Sequence, residues 1–392
     1  MDKSLLAVEI QEFINSNVNA DVAQLALQKN KFPNTDWTAI LNQITAKQKA
    51  KTKLPTWFTT SNIYYPSKIS VEQTSSEKTA EYKSQLVSGS TLIDLTGGFG
   101  VDDYYFAKKI NQVTHCEINE ELSKIVTHNL AQMKVENIQC LAGDSSEILA
   151  TLNQKFDWIY IDPSRRNDAK GKVFMLKDCL PNVTELLDFY FEHSTNIMIK
   201  TAPILDVSAG LSELKNVTAI HVVAIENEVK ELLWIIEKKF IGSIQIITSN
   251  LAKEATDEFR FDLGNDTNSN YSLPKKYLYE PNAAIMKSGG FNEVASQFEV
   301  EKLQQHSHLY TSDNVIDFPG RIFEIKNSFE YNKQNMKSFL ENKKANITTR
   351  NFPETVENIR KKWKINDGGN LYCFFTTDAN NNKIVLLCAK LK

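Results

Sequence analysis

The stretch LIDLTGGFGVDD, from Leu92 to Asp103, places an aspartate at the end of an apolar run and follows it with three glycines within four positions. Asp94 ends the run, and Gly98 and Gly100 stand in the turn that follows. A glycine has no Cβ, so another group can approach the main chain closely there. The stretch therefore predicts a buried strand, a turn that contacts a ligand, and then a helix.

The sequence on either side of this stretch, from about 90 to 240, alternates apolar runs with amphipathic segments. The apolar runs after the first are QVTHCEI, NIQCLA, WIYID and NIMIK, followed by the pair AIHVVAI and ELLWIIE. Continuous apolar strands between amphipathic helices are typical of a parallel sheet covered on both faces. The last two runs are joined by a short polar link and predict an antiparallel finish. Residues 1–85 show apolar residues at helical spacing, and Thr74 followed by Glu77 predicts a capping box.

Acidic residues follow successive predicted strands. Glu117 ends the second, 19 residues after Gly98, Asp144 follows the third, and Asp162 closes the fourth. Because an open parallel sheet binds its ligand at the carboxyl ends of its strands, these side chains are expected on one rim. Glu117 suits the two ribose hydroxyls of a nucleoside, and Asp144 suits an adenine amino group.

The kind of nucleoside follows from what surrounds the glycines. The dinucleotide-binding fingerprint has a third glycine at the position that Asp103 occupies here. An acidic residue at the start of the helix would also repel a pyrophosphate. No Gly-Lys-Ser/Thr follows, which excludes a P-loop. S-adenosylmethionine carries an ammonium and a sulfonium and no phosphate, so nearby carboxylates favour it. The predicted cofactor site comprises Asp94, Thr96, Gly98, Gly100, Glu117, Ile118, Asp144 and Ser145.

The motifs DLTGGFG, CEIN, AGDS and DPSRR, in this order, resemble those of the class I S-adenosylmethionine-dependent methyltransferases. The resemblance covers roughly 75–240 and implies a Rossmann-like α/β core with a mostly parallel seven-stranded sheet. The flanking stretches KLPTW, KTAPILD, YEPNAAIMKSGGF and NITTRNFPETVENIRKKWKI resemble an uncharacterised bacterial methyltransferase family. Its members combine an N-terminal helical part with this core, a ferredoxin-like segment and a C-terminal α+β THUMP-like domain. THUMP domains bind RNA in RNA-modifying enzymes, so the resemblance implies RNA, such as rRNA or tRNA, as substrate.

This resemblance and the composition together predict four regions. They are an N-terminal helical region at 1–85, a methyltransferase core at 86–242, a linker with a small ferredoxin-like segment at 243–319, and a THUMP-like RNA-binding domain at 320–392.

The fourth motif carries the expected chemistry. Methyltransferases of exocyclic base amines often place Asp/Asn-Pro-Pro-aromatic there, and Asp162 and Pro163 match the first two positions. Ser164 and Arg165 depart from the last two, which weakens the case for an amine acceptor. Arg165 is expected to stack on a base or to pair with a phosphate. The predicted catalytic residues are therefore Asp162, Pro163 and Arg165, and Lys200 at the end of the fifth strand either lines the same rim or reaches solvent.

A ring-carbon acceptor would need a cysteine nucleophile near this motif. Cys116 and Cys140 fall inside predicted strands, and Cys179 falls well past the DPSRR turn. The sequence therefore disfavours that acceptor.

Basic residues are unevenly spread. From Arg321 to Lys392 there are 14 Lys+Arg and 7 Asp+Glu, whereas the whole chain has a net charge of −3. Such a tail suits a polyanion, although a solvated surface would look the same. The predicted RNA contacts are Arg166 and Lys170 beside the fourth motif, and Arg350, Arg360, Lys361, Lys362 and Lys364 around Trp363, which is either a stacking residue or a core anchor.

The remaining composition limits the class of protein. The chain has 392 residues with no apolar run near the length that spans a bilayer and no signal-peptide pattern, so a cytoplasmic protein is expected. The five cysteines and six histidines show no metal spacing, so no metal site is expected. The sequence predicts an RNA methyltransferase. It leaves open a protein or small-molecule substrate, a catalytically inactive RNA-binding protein with a vestigial cofactor pocket, and the oligomeric state.

Overall fold

The structure is a computed structural model that describes residues 1–164, 166–167, 171–172, 175–253, 255–265 and 267–392. The chain divides into two compact units. The first contains Met1–Thr218 and Leu233–Ile241, and the second contains Ala219–Leu232 and Gly242–Lys392.

The first unit begins with the predicted helical region. Its helices are α1 (Val8–Ser16), α2 (Val22–Ala26), α3 (Trp37–Lys53), α4 (Pro55–Thr59), α5 (Lys68–Gln73) and α6 (Glu77–Ser84). Leu5, Ile10, Ile14, Ile40 and Ile44 form part of their shared apolar core, as the helical spacing predicts. None of the helices in the described part of the chain is long and apolar enough to cross a membrane.

The predicted capping box is wrong. Thr74 ends α5, and Ser76 caps α6 by accepting a hydrogen bond from the Thr79 amide at 3.2 Å. The Glu77 carboxylate does not reach back to the cap. It accepts hydrogen bonds from the Thr56 amide and hydroxyl and from the Tyr105 hydroxyl, so tertiary contacts override the local pattern.

The core of the first unit alternates strands and helices. Its elements are β1 (Thr91–Asp94), α7 (Val101–Phe106), β2 (Gln112–Glu117), α8 (Glu120–Gln132), β3 (Ile138–Ala142), α9 (Ser145–Leu152), β4 (Phe156–Ile161), β5 (Arg166–Asn167), β6 (Gly171–Lys172), α10 (Val183–His193), β7 (Ser194–Thr201) and α11 (Val207–Glu213). The strands β3-β2-β1-β4-β7 are neighbours in this order, and all four pairings are parallel. The predicted mixed α/β fold is therefore confirmed.

The strand order fixes where a ligand can bind. From β1 the chain builds outward through β2 and β3, and then crosses to β4 and β7 on the other side of β1. Such a reversal leaves a crevice at the carboxyl ends of the two central strands. The glycine turn after β1 and the DPS stretch after β4 both lie at these ends.

Two long strands cross the division between the units. These are β8 (Val217–Ile225) and β9 (Glu228–Glu237), joined by Glu226 and Asn227. Both linking residues have positive φ, at 49° and 65°, as a two-residue hairpin turn requires. In the first unit, residues 233–237 of β9 follow β7 in the sheet order. In the second, β8 pairs in parallel with β10 (Gln245–Leu251), which pairs antiparallel with β11 (Thr256–Asp262). The strands β10 and β11 are additional to the seven strands that the resemblance predicts for this sheet.

The rest of the second unit forms a seven-stranded sheet. Its elements are β12 (Tyr277–Pro281), α12 (Ala283–Ser288), α13 (Phe291–Gln297), β13 (Glu301–Lys302), β14 (Tyr310–Ser312), β15 (Gly320–Glu330), α14 (Lys333–Phe339), β16 (Asn346–Thr349), α15 (Val356–Trp363), β17 (Tyr372–Thr377) and β18 (Lys383–Lys390). The strand order is β13-β14-β12-β15-β18-β17-β16. The predicted terminal pair, β17 and β18, is antiparallel.

Candidate active site

The glycine turn continues the sheet before it becomes a helix. The Leu95 amide bonds to the Tyr160 carbonyl at 3.0 Å, and the Gly97 amide bonds to the Cys116 carbonyl at 2.8 Å. Gly98 and Gly100 then take positive φ values of 56° and 74°, and Gly100 is the N-cap residue of α7. These left-handed conformations favour glycine, so the turn has the backbone shape that the sequence predicted.

The Thr96 hydroxyl joins the first motif to the fourth. It donates to Asp94 Oδ1 at 3.1 Å and accepts from the Asp162 amide at 2.7 Å. The Thr96 amide also donates to Asp94 Oδ1, at 2.7 Å. One buried carboxylate, one hydroxyl and one backbone amide therefore hold the ends of β1 and β4 in register.

Replacing Thr96 with valine is expected to lower the rate of methyl transfer. Valine keeps the side-chain shape but leaves the Asp162 amide without its acceptor, at a cost of about 1–3 kcal/mol. We expect kcat to fall by roughly tenfold or more, because each 1.4 kcal/mol at the transition state is tenfold. Thr96→Ser keeps the hydroxyl and is the matched control in a kinetic assay. Equal rates for the two variants would contradict a role for this hydrogen bond.

The second and third strands end in the predicted polar groups. The Glu117 carboxylate accepts hydrogen bonds from the Gly98 amide at 2.9 Å and from the Asn119 amide at 2.8 Å, so it lies directly beside the glycine turn. Ile118, the next residue, is 76% exposed although it is large and apolar. Asp144 caps α9 through the amides of Ser146 and Glu147, and Ser145 is the first residue of that helix.

Three buried titratable groups lie beneath the turn. Asp103 is fully buried and its carboxylate lies 2.7 Å from His115 Nδ1. Burial raises the pKa of the Asp94 carboxyl well above its usual range, and the neighbouring Asp103 raises it further. Burial likewise raises the pKa of Asp103 and lowers that of His115. Asp103, which stands where a dinucleotide fingerprint would have glycine, therefore belongs to the floor of the turn.

A second buried network connects the helical region to the core. The Lys83 ammonium is fully buried and pairs with Asp102 at 3.1 Å. The Ser75 hydroxyl and the Tyr160 hydroxyl donate to the same carboxylate, at 2.8 and 2.9 Å. The N-terminal helices thus support the start of α7 from below, a contribution that the sequence analysis did not assign to them.

The carboxylate of Asp162 pairs with Lys200. Lys200 Nζ donates to Asp162 Oδ2 at 2.7 Å, with side chains that are 15% and 33% exposed. The pair lies in a pocket. Its other lining residues are Pro163, Met175, Leu176, Cys179, Thr201, Ala202, Ile204 and Leu205. Lys200 therefore lines the rim, the first of the two alternatives that its sequence position allowed.

The predicted position of Cys179 is wrong. Its distance along the sequence from the fourth motif indicated that it would lie away from the strand end, but it lines the same pocket as Asp162. The chain returns because Ser164 and Leu180 form a β-bridge, with backbone hydrogen bonds of 2.6 and 3.0 Å. Burial of the thiol is nearly complete, and its Sγ lies 3.5 Å from the Met175 carbonyl oxygen.

Between Ser164 and Leu180, the strands β5 and β6 pair antiparallel. Of the predicted substrate contacts in this stretch, Arg165 and Lys170 lie outside the described residues, and Arg166 is described only as part of β5. A contact of these three side chains with the substrate therefore stays a prediction.

Several predicted RNA-binding side chains in the second unit have partners within the protein. The Arg350 guanidinium pairs with the buried Glu280 at 2.9 Å. The Arg360 guanidinium donates to Asp367 and to two backbone carbonyls. The Lys362 ammonium contacts Glu354 and Tyr331. Lys361 and Lys364 are exposed.

Trp363 is the core anchor of α15. It is 7% exposed and packs in the apolar core of the second unit's C-terminal part. Its indole N–H donates to the Tyr331 hydroxyl at 3.1 Å. Within the described residues, no group of His, Cys, Asp or Glu is arranged to hold a metal ion.

Comparison with known proteins agrees with this architecture. Family models match residues 277–319 as a ferredoxin-like domain and residues 320–390 as a THUMP domain-like region. A crystal structure described as that of a "putative methyltransferase" from Porphyromonas gingivalis W83 is similar over 100% of both chains, with 30% identity and a TM-score of 0.89. No curated protein sequence matches the chain.

Two further solved structures resemble part of the chain. An rRNA methylase from Streptococcus thermophilus is 12% identical over 41% of this chain and 94% of its own, with a TM-score of 0.30. A tRNA (uracil-54, C5)-methyltransferase from Pyrococcus abyssi, in complex with S-adenosyl-L-homocysteine, is 16% identical over 44% of this chain and 38% of its own, with a TM-score of 0.29.

The likeness to the Porphyromonas gingivalis structure over the full length of both chains identifies the chain as a methyltransferase. The glycine turn and the acids at the strand ends fit S-adenosylmethionine as the cofactor. Gly98 lies open, since a Cβ there would meet only the Thr96 carbonyl at 3.7 Å. Beside it lie the Glu117 carboxylate, which accepts hydrogen bonds, and the exposed apolar side chain of Ile118. The chain belongs to the same family as the Porphyromonas gingivalis protein.

Proposed function

We propose that this methyltransferase modifies a nucleotide base in RNA, with rRNA or tRNA as the RNA class. The observation that carries the proposal is the position of Asp162. Its amide is held by Thr96 of the glycine turn, and its carboxylate lies in a pocket beside Lys200. A group that orients an acceptor is thus attached directly to the turn that would hold the cofactor.

Each predicted cofactor residue has a definite role in this proposal. Glu117 would accept hydrogen bonds from the ribose hydroxyls, and Ile118 would pack on the adenine ring. Asp144 and Ser145 would lie at the adenine amino group. The remaining residues would form the turn around the methionine end, and these are Asp94, Thr96, Gly98 and Gly100.

Methyl transfer requires the protein mainly to position the acceptor relative to the cofactor. The bound cofactor supplies a methyl group on a sulfonium that is already a good leaving group. Asp162 would orient the acceptor, and Pro163 would shape the turn that presents it. Arg165, Arg166 and Lys170 would contact the phosphates or bases next to the acceptor.

RNA binding is assigned to the second unit because residues 320–390 match a THUMP domain-like family model. The side chains of Lys361 and Lys364 are proposed as phosphate contacts, since both are exposed. Arg350, Arg360 and Lys362 would have to bind RNA while they keep partners within the protein. The same proposal includes a cytoplasmic location and a division of the chain into four regions, at 1–85, 86–242, 243–319 and 320–392.

Transfer of labelled methyl from S-adenosylmethionine tests this function. The substrate would be total RNA from a source strain lacking the gene, with its protein and small-molecule fractions assayed in parallel. Label in one RNA size class is the expected result. Label only in protein or small molecules would overturn the RNA assignment, and cofactor binding without any transfer would favour an inactive RNA-binding protein.

Reversing two exposed charges on the second unit is expected to weaken RNA binding without reducing cofactor binding. For Lys361→Glu with Lys364→Glu, we expect a lower RNA affinity and a salt dependence whose slope falls by about 2, since each lost phosphate contact removes about 1. Lys333→Glu with Lys337→Glu, on α14 of the same unit, makes the same charge change and is the control. Filter binding over a salt series measures both. Equal losses for the two double variants would contradict a specific contact at 361 and 364.

A further inference from the structure

We propose that Asp162 and Lys200 together recognise the edge of a nucleobase on which a ring N–H stands next to a carbonyl, and that this ring nitrogen accepts the methyl group. The inference rests on the proposed function, and it specifies the acceptor as a lactam nitrogen of a guanine- or uracil-type base. It also assigns a role to Lys200, which the resemblance to other methyltransferases did not predict.

The first argument is the geometry of the pair. One acceptor, Asp162 Oδ2, and one cationic donor, Lys200 Nζ, lie 2.7 Å apart at the ends of the neighbouring strands β4 and β7. A base that presents N–H beside C=O can bond to both, with the carboxylate accepting the N–H and the ammonium donating to the carbonyl oxygen.

The second argument concerns the shape of the pocket. Pro163, Leu176 and Leu205 line it together with the polar pair, and Ile204 lines it while remaining 49% exposed. The Leu176 amide bonds to Glu213 at 2.9 Å, which fixes this wall. Apolar side chains around two polar groups suit the faces of a planar base whose polar edge points at the pair.

The third argument separates a lactam from an exocyclic amine. Deprotonation of a lactam N–H spreads negative charge onto the adjacent oxygen, where a lysine ammonium stabilises it. In an amino base, the atom beside the amine is a ring nitrogen, and donation to that nitrogen withdraws electron density from the amine. Lys200 therefore favours the first reaction and disfavours the second. The departure of Ser164 from the amine-type motif agrees with this choice.

The proposed step balances without a further reactant. The lactam proton moves to the Asp162 carboxylate as the ring nitrogen forms a bond to the methyl carbon. The carbon–sulfur bond breaks, and its electron pair stays on sulfur, which leaves a neutral thioether. Asp162 then returns the proton to water. Lys200 remains charged throughout and acts on the carbonyl oxygen.

Product analysis tests the acceptor. RNA methylated by the full-length protein would be digested to nucleosides and identified by mass spectrometry. The expected product is a nucleoside with its methyl group on a lactam nitrogen, 1-methylguanosine or 3-methyluridine. An N-methyl group on an exocyclic amine, a methyl group on carbon or one on ribose would overturn this inference and leave the RNA methyltransferase function standing. No labelled RNA would overturn both.

Lys200 variants test the role of the ammonium independently of the product. Lys200→Met is expected to lower kcat by about 100-fold, in the range for loss of one transition-state donor. Lys200→Arg should restore part of the rate, and S-adenosylmethionine affinity should stay within about twofold in both variants.

The control is an exposed pair in the same unit. Lys215 lies 2.6 Å from Asp188, with side chains 55% and 79% exposed, and Lys215→Met removes the same charge without touching the pocket. This variant should keep the wild-type kcat. If Lys200→Met did the same, the lysine would be only a strand-end residue and the inference would be overturned.

Discussion

Asp162→Asn is expected to abolish methyl transfer while leaving cofactor binding nearly intact. The variant keeps the backbone amide that Thr96 holds but removes the charge that pairs with Lys200 and would accept the proton. General acid–base groups contribute typically 10²- to 10⁴-fold, so we expect kcat to fall by about a thousandfold. S-adenosylmethionine affinity, measured by titration calorimetry, should change by less than about twofold, because Asp162 is assigned to the acceptor and not to the cofactor.

Asp188→Asn provides the matched control for this experiment. Asp188 also pairs with a lysine in the first unit, but on an exposed surface, so its loss should leave kcat unchanged. A parallel loss of cofactor affinity in Asp162→Asn would show that the residue holds the cofactor turn. An active Asp162→Asn enzyme would exclude the residue as a proton acceptor.

Gly97→Ala is expected to disrupt the cofactor turn from beneath. A Cβ at this position would lie 2.1 Å from His115 Nδ1 and 2.2 Å from Cε1. The imidazole cannot move aside easily, since it is buried and held by Asp103, while the Gly97 amide is bonded to the Cys116 carbonyl. Overpacking of this kind costs typically about 1–3 kcal/mol. We expect a lower urea midpoint and a large loss of S-adenosylmethionine affinity.

Gly98→Ala separates steric clash from backbone strain. Its Cβ would meet only the Thr96 carbonyl, at 3.7 Å, so the cost comes from its φ of 56°, at roughly 1 kcal/mol. The variant should unfold nearer to the wild-type urea concentration than Gly97→Ala does, while also binding cofactor weakly because the side chain narrows the approach. If Gly97→Ala had a higher urea midpoint than Gly98→Ala, the packing described for His115 would be contradicted.

The spacing of residues in the sequence predicted their positions well where the secondary structure is regular. Successive parallel strands bring their carboxyl ends to one edge, so Glu117, Asp144 and Asp162 could be placed at the same edge of the sheet from their positions alone. It was less informative about partners. The pairing of Lys200 with Asp162 depends on which strands become neighbours, and β7 follows β4 in the sheet only after an intervening hairpin and helix.

Charged and capping residues show the same limit. A run such as ENIRKKWK reports its charges but not their partners, and Arg360 donates to Asp367 and to backbone carbonyls. Glu77 stands at capping-box spacing, yet its carboxylate accepts hydrogen bonds from Thr56 and Tyr105. Cys179 was judged by its distance along the sequence from the fourth motif, whereas the Ser164–Leu180 bridge returns it to the pocket. The contact of Asp103 with His115 was likewise not visible in the sequence.

The strand β12 pairs along its whole length with β15, so the two regions that the family models separate at 319 and 320 share one sheet. A fragment lacking either region would leave a hydrogen-bonding strand edge of the other region exposed. Under the proposed RNA-binding role, changes in RNA preference should therefore arise in surface side chains of the joint sheet and its helices, or by inheritance of residues 277–390 as a single piece.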